Sequence, residues 1–237
     1  MPRVTGNRAP ARGAIGGAAC TTYAGAVTIV LLTGFEPFAG DAANPSGDAV
    51  RLVGERWGGP EELLTAILPV TFDGSAARLR ELIAAHQPDV VIATGLAGGR
   101  TRIGVERVAV NLVDARIADN DGLQPIDVPS VDGAPAAHFA TLPVKAITAA
   151  LTANGIPAEL SHTAGTFVCN HVFFTALDVV PAAVRAGFIH VPWSSEQAPA
   201  TDAPTLPLAM IADALEIAVR TTLAVDTDAV VSGGALH

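Results

Sequence analysis

Short apolar runs alternate along the chain with segments whose apolar residues recur at helical spacing. "VTIVLLTG", residues 27–34, is a continuous apolar run closed by glycine, the pattern of a strand buried on both faces. "NPSGDAVRLVGERW" follows, with Asn44 as N-cap and Pro45 at the first helical position. "LLTAILPV" and "DVVIATG" read as further strands. Between them "SAARLRELIAAH" is a helix with Ala76, Leu79, Leu82 and Ile83 on one apolar stripe. "LPVKAITAALTANG" predicts a helix stopped by Gly155, and "GFIHVP" a short strand halted by Pro192. "LPLAMIADALEIAVRTTLA" closes the pattern as a helix. Alternating strands and helices with few hairpin signals predict an α/β fold: a mostly parallel, twisted central sheet with helices on both faces. Reactive groups in such sheets gather at the carboxyl ends of the strands.

The patterning begins only at Val27. Residues 1–26, rich in Gly, Ala, Arg and Pro, are expected to form a disordered extension, 27–226 a single α/β domain, and 227–237 a flexible tail. Half of the 237 residues are hydrophobic, enough for a large core, whereas charged residues make up only 16%. A surface so poor in charge points to burial against other subunits. The net charge of −9, with scattered Lys and Arg, excludes a nucleic-acid footprint. No apolar run reaches the roughly eighteen residues of a membrane helix, and the N-terminus lacks the apolar core of a signal peptide. With only Cys20 and Cys169 there is no disulfide framework, and a reducing cytoplasm is the expected location.

Phosphate-cradle, zincin and hydrolase-elbow signatures are missing from the chain. "TGLAGGR", Thr94 to Arg100, is a Gly-rich loop after a strand, equally readable as a ligand-approaching loop or a tight turn. Cys169 lies in "TAGTFVCNH", after the strand-like "PAELS" and at the start of a helix carrying Val172, Phe173, Ala176 and Val180. A helix start favours a thiolate and offers backbone N–H groups to an oxyanion. A buried structural thiol fits the position equally. A thiol nucleophile needs a base and an orienting group. His190, ending the apolar strand "GFIHVP", is the best of the six histidines, although a satisfied core histidine would look the same. His171 falls on another helix face from Cys169, and His162, Cys169 and His171 have no standard metal-ligand spacing. In "VERVAVNL" Glu106 shares strand parity with Val108, Val110 and Leu112, so its carboxylate faces an apolar side and needs a partner. Asp114, Asp119 and Asp121 read as solvated loop residues. Glu106, Cys169 and His190 together outline a Cys–His–Glu constellation.

"LLTGFEPFAGDAANPS", "AGGRTRIGVERVAVNLVDARIADNDGLQP", "TAGTFVCNHVFF" and "AGFIHVPWSSEQA" closely resemble the pyroglutamyl-peptidases, also called pyrrolidone-carboxylate peptidases. The resemblance runs from about Val27 to about Ala224. It implies a three-layer α/β/α sandwich, commonly a homotetramer, that removes N-terminal pyroglutamate from peptides without a metal or organic cofactor. Carried over residue by residue, it places the nucleophile on Cys169, the histidine on His190 and the triad carboxylate on Glu106. It puts the ring-binding aromatics on Phe35, Phe38 and Phe167, and Arg116 close to the active site. Aromatic walls suit a flat, uncharged lactam whose N–H and C=O need a few polar partners.

The sequence departs from the family at two places in these motifs. "GLAGGR" carries Leu96 where many members have Gln, which removes a hydrogen bond expected for the lactam. "IGVER" lacks the Ser or Thr that more often precedes the variable residue. Two rivals follow: an amidase for another small lactam or acyl-amide, for which Leu96 is the motive, and a non-catalytic binding protein on the same scaffold. The intact Glu106, Cys169 and His190 set weighs against the second.

Overall fold

The computed structural model describes residues 27–197 and 203–234, so the extension expected over residues 1–26 lies outside the described residues. The elements of the first half are β1 (Ile29–Phe35), α1 (Pro45–Arg56), β2 (Glu62–Leu68), α2 (Phe72–His86), β3 (Val90–Leu96), β4 (Ile103–Glu106) and β5 (Val108–Val110). The second half adds β6 (Ala137–Phe139), α3 (Val144–Ala153), β7 (Ala158–Ser161) and α4 (Val168–Val179). It ends with β8 (Arg185–Val191), β9 (Trp193–Ser194), β10 (Thr205–Leu206) and α5 (Leu208–Ala224). The main sheet has six strands in the order β2-β1-β3-β8-β4-β7. β2, β1, β3 and β8 are parallel, whereas β4 runs antiparallel to β8 and carries β7 parallel to itself. A mostly parallel sheet and five flanking helices make the expected three-layer sandwich.

Period-two alternation divides the core between the two faces. Val30, Leu32, Val90, Ile92, Ile189 and Val191 pack under α1, α3 and α5. Leu31, Val91, Ala93 and Phe188 pack under α2 and α4, with Phe173 and Phe174 as the bulk of that layer. Strands buried on both faces are why their sequences read as continuous apolar runs.

The structure departs from the expected pattern at Glu106. The strand expected across "VERVAVNL" breaks at Arg107, and β5 leaves the main sheet to pair with β6. Arg107 is the crossing point: its N–H donates to Ser161 O at 2.8 Å, and its carbonyl accepts from Ala140 N at 2.9 Å. Glu106 therefore does not share a face with Val108 and Val110, which are half-buried while Ala109 is buried. Its burial comes from its place between β8 and β7.

Three helix starts are satisfied from a distance and one locally. Asn44 caps α1 as expected, accepting from Ser46 N at 3.1 Å. Asp119, expected in solvent, is buried and accepts from Phe72 N at 2.8 Å, so it caps α2. It also accepts from Asp121 N at 3.0 Å and Leu123 N at 2.8 Å, whereas Asp114 and Asp121 are exposed. Asp228 caps α3 through Lys145 N at 3.1 Å and Ala146 N at 2.9 Å, which ties down a stretch expected to be a flexible tail. Glu196 Oε2 accepts from Leu208 N at 3.0 Å at the start of α5. α4, with Phe167 at its N-cap, is the one helix of the five whose first N–H groups meet no side-chain acceptor among the described residues.

Asp119→Ala leaves the buried Phe72 N–H and the two loop N–H groups without their acceptor. It is expected to cost about 2 kcal/mol and lower the melting temperature by roughly 4–8 °C, with Asp119→Asn in between. Calorimetry giving less than a degree of change would show that the loop is held by other contacts.

Candidate active site

The carboxyl ends of β1, β3 and β8 converge beneath the start of α4. On this face the register sets Gly95 of β3, His190 of β8 and Gly104 of β4 side by side. Adjacent strands lie about 4.8 Å apart, so His190 has a glycine as immediate neighbour on each side. Each glycine leaves room for a functional group. A Cβ on Gly95 would lie 2.7 Å from Cys169 Sγ, and one on Gly104 would collide with Arg100 Nη1. The sheet thus holds a row of thiol, imidazole and guanidinium.

His190 is buried, its ring centroid 4.8 Å from that of Phe188, and its Nδ1 lies 2.7 Å from Glu106 Oε1. Arg100 Nη1 lies 2.8 Å from the same oxygen, and Arg100 Nη2 donates to Thr163 O at 3.0 Å. Glu106 is fully buried, and its Oε2 has no hydrogen-bond partner among the described residues. Nη1 is not aligned for a hydrogen bond, so its contact with Glu106 is electrostatic.

Burial sets the protonation states. It pushes the Cys169 thiol up to about 12; the Glu106 charge adds to the rise, while Arg100 and a backbone hydrogen bond oppose it. Desolvation therefore outweighs the lowering expected from the helix start. His190 is held below the usual imidazole range, first by burial and then by Arg100, although its contact with Glu106 acts the other way. The resting pair at neutral pH is a thiol and a neutral imidazole. Because Glu106 accepts at Nδ1, the proton sits there and Nε2 is the free base.

α4 delivers Cys169 at its second residue. Asn170 latches the helix to the neighbouring chain, accepting from Val110 N at 3.0 Å and donating to Val110 O at 2.8 Å and Leu112 O at 3.1 Å. The first turn has no side-chain acceptor among the described residues, which leaves its N–H groups available beside Cys169. His171 faces elsewhere, as expected: its Nδ1 is 2.7 Å from Ser130 Oγ and its ring packs on Phe72. His162 is exposed, and no group of three His, Cys, Asp or Glu among the described residues is placed to hold a metal.

Beside Cys169 lies a cavity of about 160 Å³ walled by Phe35, Phe38, Val70, Leu96, Phe167 and Val168. Phe38 and Phe167 stack at 5.4 Å, and Phe72 supports Phe167 edge-on at 5.2 Å. Asp41 and Asn44 are the other polar lining residues, and Asn44 is already engaged with Ser46 and Glu36. Four of the five residues expected around the substrate therefore line the cavity. Arg116 does not; it is exposed. The arginine in contact with Glu106 is Arg100, which sequence reasoning left inside a Gly-rich loop of open meaning. A cation ending such a loop just ahead of a buried carboxylate was the available signal. Asn170 and the glycine pair left no comparable trace, because their roles exist only across strands and helices.

In the free protein, alkylation of Cys169 by iodoacetamide, followed on the Cys169 peptide by mass spectrometry, is expected to keep rising with pH beyond the ordinary thiol value of about 8.5. A rate already level between pH 6 and 8 would mean a preformed thiolate.

The similarity to known proteins agrees with this geometry. A family model described as pyroglutamyl peptidase matches residues 28–225. The chain is 52% identical over 209 residues to the pyrrolidone-carboxylate peptidase of Clavibacter michiganensis subsp. michiganensis, covering 87% of this chain and 98% of the relative. It superposes on the crystal structure of pyroglutamyl peptidase I from Bacillus amyloliquefaciens with a TM-score of 0.83 at 44% identity, covering 87% of this chain and all of the other. The pyrrolidone carboxyl peptidase of Thermococcus litoralis gives 0.79 at 40% identity, over 84% and 94% of the two chains. Sequence motifs, fold and family match coincide over the same span, and the chain belongs to the pyroglutamyl peptidase family.

Proposed function

We propose that this protein is a cysteine exopeptidase that hydrolyses the amide bond after an N-terminal pyroglutamyl residue, with Cys169 as nucleophile, His190 as base and Glu106 as its orienting group. One observation carries the reading: Cys169 Sγ sits over Gly95, the strand neighbour of a His190 whose Nδ1 is bound to Glu106, at the edge of an aromatic cavity. The relatives' names supply the substrate class, and the cavity walls of Phe35, Phe38 and Phe167 suit a flat ring.

The chemistry follows from the neutral resting pair. His190 Nε2 takes the thiol proton as Sγ attacks the pyroglutamyl carbonyl carbon, and a C–S bond forms. The N–H groups of the uncapped α4 start receive the oxyanion. The Nε2–H proton passes to the leaving nitrogen, the C–N bond breaks, and the amine departs. Water then attacks the thioester, giving a proton to Nε2, and the thiolate leaves and is reprotonated. A thiolate–imidazolium pair would have to form in the same desolvated space and is disfavoured there. None of these steps draws on a metal or organic cofactor.

Leu96 favours a second reading, an amidase for a less polar acyl group. It makes the wall beside Gly95 apolar where a lactam has an N–H and a C=O to satisfy. Soluble, reducing surroundings suit a working thiol, and no helix among the described residues is long and apolar enough to cross a membrane. Exposed Ile117, Leu123, Ile126 and Val128, with the low charge fraction, support assembly into a homo-oligomer such as the tetramer the resemblance implies.

A fluorogenic assay on pyroglutamyl, prolyl and glutamyl amides separates the readings. Pyroglutamyl cleavage is expected to dominate, to fall at least ~10³-fold in Cys169→Ala, and to be unaffected by a chelator. Cleavage surviving in Cys169→Ala would sink the thiol mechanism, preference for another acyl group would favour the amidase, and no cleavage at all a binding protein. Leu96→Gln is expected to lower KM for pyroglutamyl amides by up to about tenfold. A higher KM would mean that the pocket satisfies the lactam by other groups.

A further inference from the structure

We infer that Arg100 is a positioning residue: it holds the Glu106 carboxylate against His190 and ties that pair to the loop that delivers Cys169. The inference rests on His190 as the base of the proposed reaction. Nη1 of Arg100 and Nδ1 of His190 meet the same oxygen of Glu106, at 2.8 and 2.7 Å. The second arm of the guanidinium donates to Thr163 O, in the connection between β7 and α4. One side chain therefore spans the strand carrying the orienting carboxylate and the segment leading to the nucleophile. A lysine cannot bridge in this way, because it offers a single point charge in place of a fork.

The surroundings hold Arg100 in place. Ala97 N donates to Val191 O at 2.8 Å, extending the β3–β8 pairing, and Arg100 N closes a turn onto Ala97 O at 2.9 Å. Trp193 packs so closely on Gly98 that a Cβ there would lie 2.5 Å from its Nε1. Gly104, opposite His190, leaves the space the guanidinium fills. The Gly-rich "TGLAGGR" loop is thus a hydrogen-bonded turn, packed on Trp193, that places Arg100.

The electrostatics give the role a signature that packing alone would not. The charged and titratable groups facing His190 are Glu106 from β4, Arg100 from the loop before it and Cys169 from α4. Glu106 is fully buried, and Arg100 and His190 are its polar partners. Without Arg100 the buried negative charge has only the imidazole to neutralise it, and His190 gains a proton more readily. A base that protonates at higher pH is lost earlier on acidification, so the acid limb of kcat/KM moves up.

The test compares wild type with Arg100→Met, Arg100→Lys and Gly104→Ala, reading the pH profile of kcat/KM and the His190 Cε1–H resonance, assigned by its loss in His190→Gln. Arg100→Met is expected to lower kcat ~10- to 100-fold with KM changed less than about twofold, and to move both the acid limb and the His190 titration upward. Arg100→Lys returns the titration toward wild type but leaves kcat depressed. Gly104→Ala keeps every charge and displaces the guanidinium, so it moves both readouts in the same direction even if Arg100→Met does not fold. Superimposable titrations in wild type and variants, or a loss carried by KM, would overturn the inference. The resonance reads Arg100 without turnover; absent pyroglutamyl cleavage by wild type, or full activity in His190→Gln, would instead overturn the functional reading.

Discussion

A buried imidazole flanked on both neighbouring strands by glycine is the constraint on which the site is built. His190 lies in the interior of a six-stranded sheet, where an unpaired polar ring would cost several kcal/mol. Glu106 removes that cost, and it can do so because β4 runs against β8. The antiparallel register sets Glu106 opposite Phe188 and Gly104 opposite His190, so the carboxylate reaches the imidazole along the diagonal of the ladder. Gly95, on the other side, leaves the space for the sulfur of Cys169. Neither glycine adopts an unusual backbone angle; each is required by what stands over it.

Desolvation then decides the chemistry. The start of α4 and the Arg100 charge both favour a thiolate, but burial and the Glu106 charge prevail, and the sulfur keeps its proton. Burial acts on His190 in the opposite sense, keeping the ring neutral. Two neutral partners suit general-base attack, in which charge appears only as the bond forms. In the proposed reaction the uncapped N–H groups of α4 are the donors available to that charge. The other helix starts are closed by Asn44, Asp119, Asp228 and Glu196, whereas the phenylalanine at the head of α4 serves as a wall of the cavity.

Those remote caps also explain how irregular segments hold the site. Asp119 ties the long connection after β5 to α2, the helix whose Phe72 braces Phe167. Asn170 fixes α4 to the strand that has just left the sheet. The frame around Cys169 is a set of long-range hydrogen bonds between helix starts and chain segments far away in sequence.

The sequence by itself determined the layered α/β architecture, because apolar runs and helical stripes are local signals that the burial pattern later repeats. It also placed the nominated Glu106, Cys169 and His190, since a carboxylate and an imidazole within apolar strands stand out, and the family motifs surround them. It misread the parity of Glu106 and the exposure of Asp119, and it left Arg100 and the C-terminal stretch without a role. Those properties depend on partners far along the chain: β4 ends where Arg107 turns toward β7 and the β6 ribbon, and Asp119 is buried because α2 needs an acceptor. Only the tertiary structure decided that Cys169 rests as a thiol and that Arg100 shares an oxygen of Glu106 with His190, because desolvation and charge proximity are set by packing and leave no period in a sequence.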